Sequence, residues 1–216
     1  PETALLVTAS REEDLVDYTN EDSSFMFNFG SGASACVLET GSETRGGAVP
    51  NSPRAFVRGS HAVTDGSFST DVVMPAGGSL APPSAESVEA EQHTLDVPDP
   101  EGLKQRLAPV SLPNYLAVTD TALERSGYNR SDLDFVAVTH MKRSFNDLLF
   151  EELGLDPESN GYYLEEYGHV QSADQLLAVD EALDRGRIGS GDVVLFLAAG
   201  TGYTWAATVL DWRDAS

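Results

Sequence analysis

The chain is poor in several things, and each shortage excludes something. Cysteine occurs once, at Cys36, so no internal disulfide can form. That fits a reducing cytoplasm. Lysine occurs only at Lys104 and Lys142. No apolar run approaches the roughly 18–20 residues of a membrane helix. No signal peptide is expected from the opening residues, where Pro1-Glu2 leads straight into Ala4-Leu5-Leu6-Val7-Thr8. The missing initiator methionine suggests a fragment or a processed chain. Positive charge is scarce, with 13 Lys plus Arg against 35 Asp plus Glu and a net charge of −22 over 216 residues. Phosphate backbones need a basic face, so nucleic acid is not an expected partner. The acids are dispersed rather than gathered in a tail. Their mutual repulsion weakens a compact state unless counterions screen it, and the expectation is a halophilic protein. Hydrophobic residues make up 41%, enough for an ordinary globular core.

What is present divides into two halves. Strands are expected at Ala4–Thr8 and over Phe25–Phe29 with Ala33–Leu38, interrupted at Gly30-Ser31-Gly32, where glycine permits close backbone approach. From Glu39 to Pro109 the chain is rich in Gly, Pro, Ser and acid. Short strands are expected there at Ala55–Val57 and Val72–Met74, and 75–91 reads as a surface loop or insertion. The second half is regular. Ser111-Leu112-Pro113 reads as a helix start, with the helix running to Ser126. Phe135–Thr139 reads as a buried strand. A helix over Arg143–Leu153, with Phe145, Leu148, Leu149 and Leu153 inward, ends at Gly154. Tyr162–Leu164 reads as a short strand. Ser172–Arg185 reads as a helix with Ala173, Leu176, Leu177 and Leu183 inward, and Val193–Ala199 and Thr204–Leu210 are the last strands. Helices alternating with short apolar strands predict a layered α/β fold with a mixed sheet.

Three strand ends carry residues fit for chemistry. His140 and His169 each follow a predicted strand and precede a helix, and Gly200-Thr201-Gly202 follows the most apolar strand. Ligands of open α/β sheets gather outside the carboxyl ends of strands. Two imidazoles and a turn rich in N–H donors are equipment for stabilising an enolate or a tetrahedral oxyanion. Each signal has a plainer reading: a lone histidine is more often structural, and a Gly-Thr-Gly turn is usually just a hairpin. His61 and His93 show no ligand spacing, so no metal site is expected. Trp205 and Trp212 read as packing residues, Glu165 and Glu166 as solvated. Cys36, inside a strand, reads as a small buried hydrophobe.

Taken together, the motifs resemble the β-ketoacyl-acyl-carrier-protein synthase III family. Ile188-Gly189-Ser190-Gly191-Asp192-Val193-Val194-Leu195 through Gly200-Thr201-Gly202-Tyr203-Thr204-Trp205-Ala206 is similar to that family's end: a Gly-Asp-apolar strand, a glycine-rich turn and an aromatic-Thr-Trp strand. Leu177-Ala178-Val179-Asp180-Glu181-Ala182-Leu183 resembles its Leu-Asp-Glu-Ala pattern, and Phe29-Gly30-Ser31-Gly32-Ala33 its Phe-Gly-Asp-Gly-Ala segment. The resemblance runs from about residue 4 to residue 212 and is weakest across 40–110.

The resemblance implies a thiolase-like layered fold: the C-terminal half at 40–216, with 75–109 as a loop or insertion, preceded at 1–39 by the last strands of the N-terminal half. It implies that His140 is the catalytic histidine of the family's Pro-His-Gln-Ala-Asn motif, of which only the histidine remains in this sequence. His169 stands where the family has a catalytic asparagine in Tyr-Gly-Asn. Thr201 falls at the turn whose N–H helps form the oxyanion hole. The nucleophilic cysteine of the family lies upstream of every residue of this chain, and Cys36 is not it. The activity implied is decarboxylative condensation of an acyl thioester with a malonyl-type thioester. No cofactor is implied beyond CoA or acyl-carrier-protein thioesters as substrates, the complete enzyme is expected to be a homodimer, and no membrane partner is implied. Because histidine can also act as a base, acyl transfer to a hydroxyl or amine is the alternative. A non-catalytic partner subunit is the other. By itself the chain is expected to be inactive and to expose apolar surface.

Overall fold

A computed structural model of the chain describes residues 2–40, 54–157 and 160–213. The glycine-rich text at 41–53 lies outside these described residues. The strands form a two-stranded antiparallel ribbon, β1 (Thr3–Ser10) with β2 (Gly32–Glu39), and a four-stranded mixed sheet. In the latter, β3 (Ala55–Thr64), β4 (Phe135–Val138), β5 (Val193–Gly200) and β6 (Thr204–Trp212) lie in the order β3-β6-β5-β4. Only the β4–β5 pair is parallel. The α-helices are α1 (Ala85–Glu89), α2 (Pro100–Ser126), α3 (Arg143–Leu153), α4 (Leu164–Tyr167) and α5 (Asp174–Asp184).

The mixed sheet is covered on both faces, and strand alternation sorts the residues. Val136 and Val138 of β4, Leu195 and Leu197 of β5 and Trp205, Ala207 and Val209 of β6 join one core cluster with Tyr115, Val118 and Leu123 of α2 and Leu149, Phe150 and Leu153 of α3. Phe135, Ala137, Val194, Leu210 and Trp212 face the other way, against Tyr163 and Ala178, Val179 and Ala182 of α5. The result is a helix–sheet–helix sandwich, the expected layered α/β fold with a mixed sheet.

Several boundaries differ from the expectation. Helix α2 starts at Pro100, eleven residues before the proposed Ser111 start. Asp99 caps it, its side chain accepting from Gly102 N at 2.9 Å, and Pro100 takes the first turn, where its missing N–H costs nothing. Pro109 and Pro113 fall inside the helix. The stretch proposed as loop therefore contains α1 and the first turns of α2. Phe25–Phe29 is not a strand, because Asn20 caps a 3-10 turn over Glu21–Met26 by accepting from Asp22 N. Val73 makes only an isolated bridge with Asp96, whereas β3 extends well past Val57. Tyr162–Leu164 is likewise not a strand, since α4 begins at Leu164. On α3, which ends at Gly154 in the left-handed region as expected, Leu148 is exposed and Phe150 is buried instead.

The ribbon is apolar and open. Leu5, Val7 and Val37 share one face of it and are more than 60% exposed, at 68%, 62% and 61%. Cys36, opposite Leu6 on the other face, is half-buried rather than buried, and partial burial pushes its thiol pKa up. Among the described residues no helix is long and apolar enough to cross a membrane.

Candidate active site

His140 follows β4 by two residues. Its strand is fixed to β5 in register, Val138 opposite Leu197, and Thr139 N donates to Leu197 O at 3.0 Å. Gln175, from α5, donates to both Thr139 Oγ1 and Leu197 O, at 3.0 and 3.2 Å. On the far side of His140, Tyr162 OH donates to Met141 O at 2.8 Å and Tyr115 OH to Met141 Sδ at 3.2 Å. The imidazole sits edge-on to the Tyr162 and Tyr163 rings, with centroids 6.1 and 6.2 Å away. Its side chain is 1% exposed.

His169 reaches the same place from a different segment, just after α4 rather than at the end of the expected strand. Its N–H donates to Asn28 O at 2.7 Å, and its carbonyl accepts from Gly30 N at 3.0 Å. This short parallel bridge needs glycine on both sides. A Cβ on Gly30 would fall on the Tyr167 carbonyl, and Gly168, at φ 71°, would set a Cβ 2.7 Å from Asn28 O. The expected close approach at Gly30-Ser31-Gly32 is thus made to the histidine segment. The Phe29 ring lies edge-on to His169 at 5.4 Å.

The residue that joins the two histidines is Asp174, at the first position of α5, with a side chain 0% exposed. Its Oδ2 accepts from His140 N at 2.7 Å and lies 2.6 Å from His169 Nδ1. Its Oδ1 accepts from Val170 N at 2.8 Å and stands 3.2 Å from His140 Nδ1, a contact without hydrogen-bond alignment. Burial opposes ionisation of this carboxyl. The two histidine residues, by their hydrogen bonds and by charge, outweigh it, and the pKa falls well below the usual carboxylate range. The helix N-terminus adds to the same preference. Asp174 was not among the sequence-derived candidates. Its signal was a pair of polar residues, Asp174 and Gln175, on the inner face of α5. That face runs through 174, 175, 178, 179 and 182, whereas Leu176, Leu177 and Leu183, expected inward, are only half-buried.

Gly200 is the last residue of β5, and Thr201 and Gly202 follow it in the β5–β6 turn. As β4 and β5 are parallel, the turn lies at the same end of the sheet as His140. Tyr203 closes the turn by exchanging backbone hydrogen bonds with Asp65 at 2.9 and 3.0 Å and stacks on Trp205. Thr201 is exposed. His61 lies on β3, opposite Ala207 of β6, and His93 Nε2 contacts Ser87 Oγ at 2.9 Å. Both stand apart from the pair. Among the described residues no group of three His, Cys, Asp or Glu is placed to hold a metal ion.

Glu12, on the 3-10 turn after β1, is a further carboxyl near the pair. Burial pushes its pKa up, the charge of His169 works against that, and neighbouring Glu13 adds to the rise. Cavities of about 440 and 170 Å³ are lined respectively by Val16, Tyr18 and His93 and by Asn160, Tyr162 and Arg187, and neither is lined by His140 or His169.

The layered α/β sandwich with a mixed sheet is a thiolase-like fold, and comparison with solved structures bears the fold out. The chain superposes with a TM-score of 0.77 on 3-oxoacyl-(acyl carrier protein) synthase III from Pseudomonas aeruginosa PAO1, at 21% identity, over 100% of this chain and 59% of that one. For the corresponding synthase III of Thermus thermophilus the TM-score is 0.74, at 25% identity, over 98% and 59%. Family models described as "3-Oxoacyl-[acyl-carrier-protein (ACP)] synthase III" and "3-Oxoacyl-[acyl-carrier-protein (ACP)] synthase III C terminal" match residues 1–52 and 123–212. The chain belongs to the β-ketoacyl-acyl-carrier-protein synthase III family. Beta-ketoacyl-[acyl-carrier-protein] synthase III of Desulfitobacterium hafniense is 31% identical over 192 residues, 89% of this chain and 54% of that protein. The chain spans about half the length of the curated relatives it matches.

Proposed function

We propose that this chain supplies the histidine half of an acyltransferase that makes a 3-oxoacyl thioester. The observation that carries the reading is that His140 and His169 meet on one fully buried carboxylate, in a chain of this family. In the complete enzyme a cysteine thiolate from a segment beyond this chain takes an acyl group from a CoA or carrier-protein thioester, expelling the thiol. Each imidazole, when Nε2 is protonated as well, donates from Nε2–H to the carbonyl of a malonyl-type thioester. Loss of CO₂ leaves an enolate that they stabilise. The enolate carbon attacks the acyl-enzyme carbonyl, the Thr201 N–H of the turn stabilises the oxyanion, and the cysteine leaves as thiolate. Every step uses thioester chemistry with side-chain and main-chain groups, so no bound cofactor is called for. The working form is a cytoplasmic homodimer.

A second reading is favoured by the 2.6 Å contact of His169 Nδ1 with Asp174. A ring whose Nδ1 proton faces a carboxylate keeps a lone pair on Nε2, which suits proton abstraction from a hydroxyl or amine acceptor. Offering the acylated complete enzyme malonyl-thioester against alcohols and amines separates the two. Carbon–carbon product with release of CO₂ supports condensation, and ester or amide product with no use of malonyl-thioester replaces it.

The charge pattern supports a halophilic origin. Exposed acids repel weakly one by one, so the effect is collective. The melting temperature is expected to rise steadily from dilute buffer to molar KCl as the 35 acids are screened. A flat or falling trend removes this reading.

A further inference from the structure

The polar group in the site that the reaction above leaves without a task is Asp174. A structural ion pair would need one partner. This carboxylate takes two main-chain N–H groups, from His140 and Val170, and one imidazole nitrogen, and stands 3.2 Å from a second. All four contacts come from the two histidine segments.

The geometry fixes where the His169 proton lies. Two groups approach His169 Nδ1: Asp174 Oδ2 at 2.6 Å and the N–H of Gln171 at 3.3 Å. A lone pair on Nδ1 would accept from Gln171 but would face an anionic oxygen across 2.6 Å, with no proton between them. A proton on Nδ1 makes a short charge-assisted hydrogen bond and forgoes one long contact. The first arrangement is repulsive, so the proton sits on Nδ1. His140 is held by its main chain to the same oxygen, with its own Nδ1 turned toward the carboxylate and its Nε2 buried and unpartnered among the described residues.

We propose that Asp174 is the positioning residue of this site: it fixes His169 as the Nδ1–H tautomer and turns His140 the same way. Both Nε2 atoms are thereby presented to the reacting groups. This rests on the reading that the histidine pair is the acyl-transfer site, but its test does not depend on activity.

The chain has four histidines, which makes their ring nitrogens tractable by long-range proton–nitrogen NMR. In alkaline buffer, well above the ordinary histidine range, His169 is expected to show a protonated Nδ1 and a bare Nε2. In Asp174→Asn the anionic acceptor is gone and the His169 tautomer is expected to change, while His61 and His93 serve as unmoved references. A bare Nδ1 on His169 in the unaltered chain overturns the proposal, and that spectrum decides even if Asp174→Asn does not fold. An unchanged tautomer in a folded Asp174→Asn overturns it equally. In the complete enzyme Asp174→Asn should lower kcat about 10²–10⁴-fold with KM little changed, and Asp174→Glu should recover part of the loss. Expected tautomers in an enzyme that transfers no acyl group would retire the functional reading and leave the positioning role standing.

Discussion

Replacing His140 by alanine in the complete enzyme is expected to slow discharge of the acyl group by about 10²–10⁴-fold, while loading of the cysteine continues. The His140 side chain is almost fully enclosed, 1% exposed, with Nε2 free of any partner among the described residues. A buried nitrogen without a partner is costly unless something arrives to use it. In the proposed condensation the arriving group is the carbonyl of the second thioester. The fold should survive the change, since Asp174 holds the main chain of residue 140 through its N–H and not through the ring. Burst kinetics with intact-mass detection of the acyl-enzyme would check both halves: full loading followed by stalled turnover. Loss of loading together with discharge would instead assign His140 to activation of the cysteine.

The second large effect belongs to His169, and its direction distinguishes two chemistries. As a hydrogen-bond donor to a thioester carbonyl, His169 can be replaced by asparagine with much of the rate kept, whereas His169→Ala should lose about 10²–10³-fold, the usual cost of one oxyanion donor. As a base toward a hydroxyl or amine, it cannot be so replaced, and His169→Asn should be as damaged as His169→Ala, by about 10²–10⁴-fold. The Asp174 contact makes the experiment sharper. Asparagine at 169 puts an amide N–H about as far along the side chain as Nδ1, so His169→Asn can keep the hydrogen bond to Oδ2 while removing the basic Nε2. Near-normal turnover of His169→Ala would show that this residue is not catalytic.

The fold was legible in the sequence where local chemistry and tertiary packing agree. Phe135–Val138, with every residue buried, reads as a strand covered on both faces, and the residues after Lys142 open an amphipathic helix that Gly154 ends. Elsewhere a local signal was real but displaced. Asp99-Pro100 and Ser111-Leu112-Pro113 both look like helix starts, and only the first has its cap bond made. The order of the mixed sheet was beyond reach, because β3 pairs with β6 across about 150 residues of chain, and nothing local to either strand encodes that choice.

The site was partly legible for a similar reason. His140 and His169 stood out as imidazoles at predicted strand ends, although His169 in fact follows α4. Asp174 did not, because an acid in the first turn of a helix is ordinary on an acidic chain. Its burial becomes visible only once Ala178 and Ala182 are seen to let α5 lie close on Phe135 and Ala137. The inward face of that helix carries small residues, while the larger Leu176, Leu177 and Leu183 flank it. Periodicity weighted by size therefore chose the wrong stripe.

If the two imidazoles on one carboxylate act as a unit in the second half of an acyl transfer, the most direct measurement is acyl-enzyme discharge in single turnover. It compares the complete enzyme, each single variant and the His140→Ala/His169→Ala double variant. Residues acting as a unit are strongly non-additive. Normal acylation is expected in all four forms, with the double variant discharging no more slowly than the worse single one. Discharge at the unaltered rate in the double variant, or losses that multiply, would contradict a shared role for the pair.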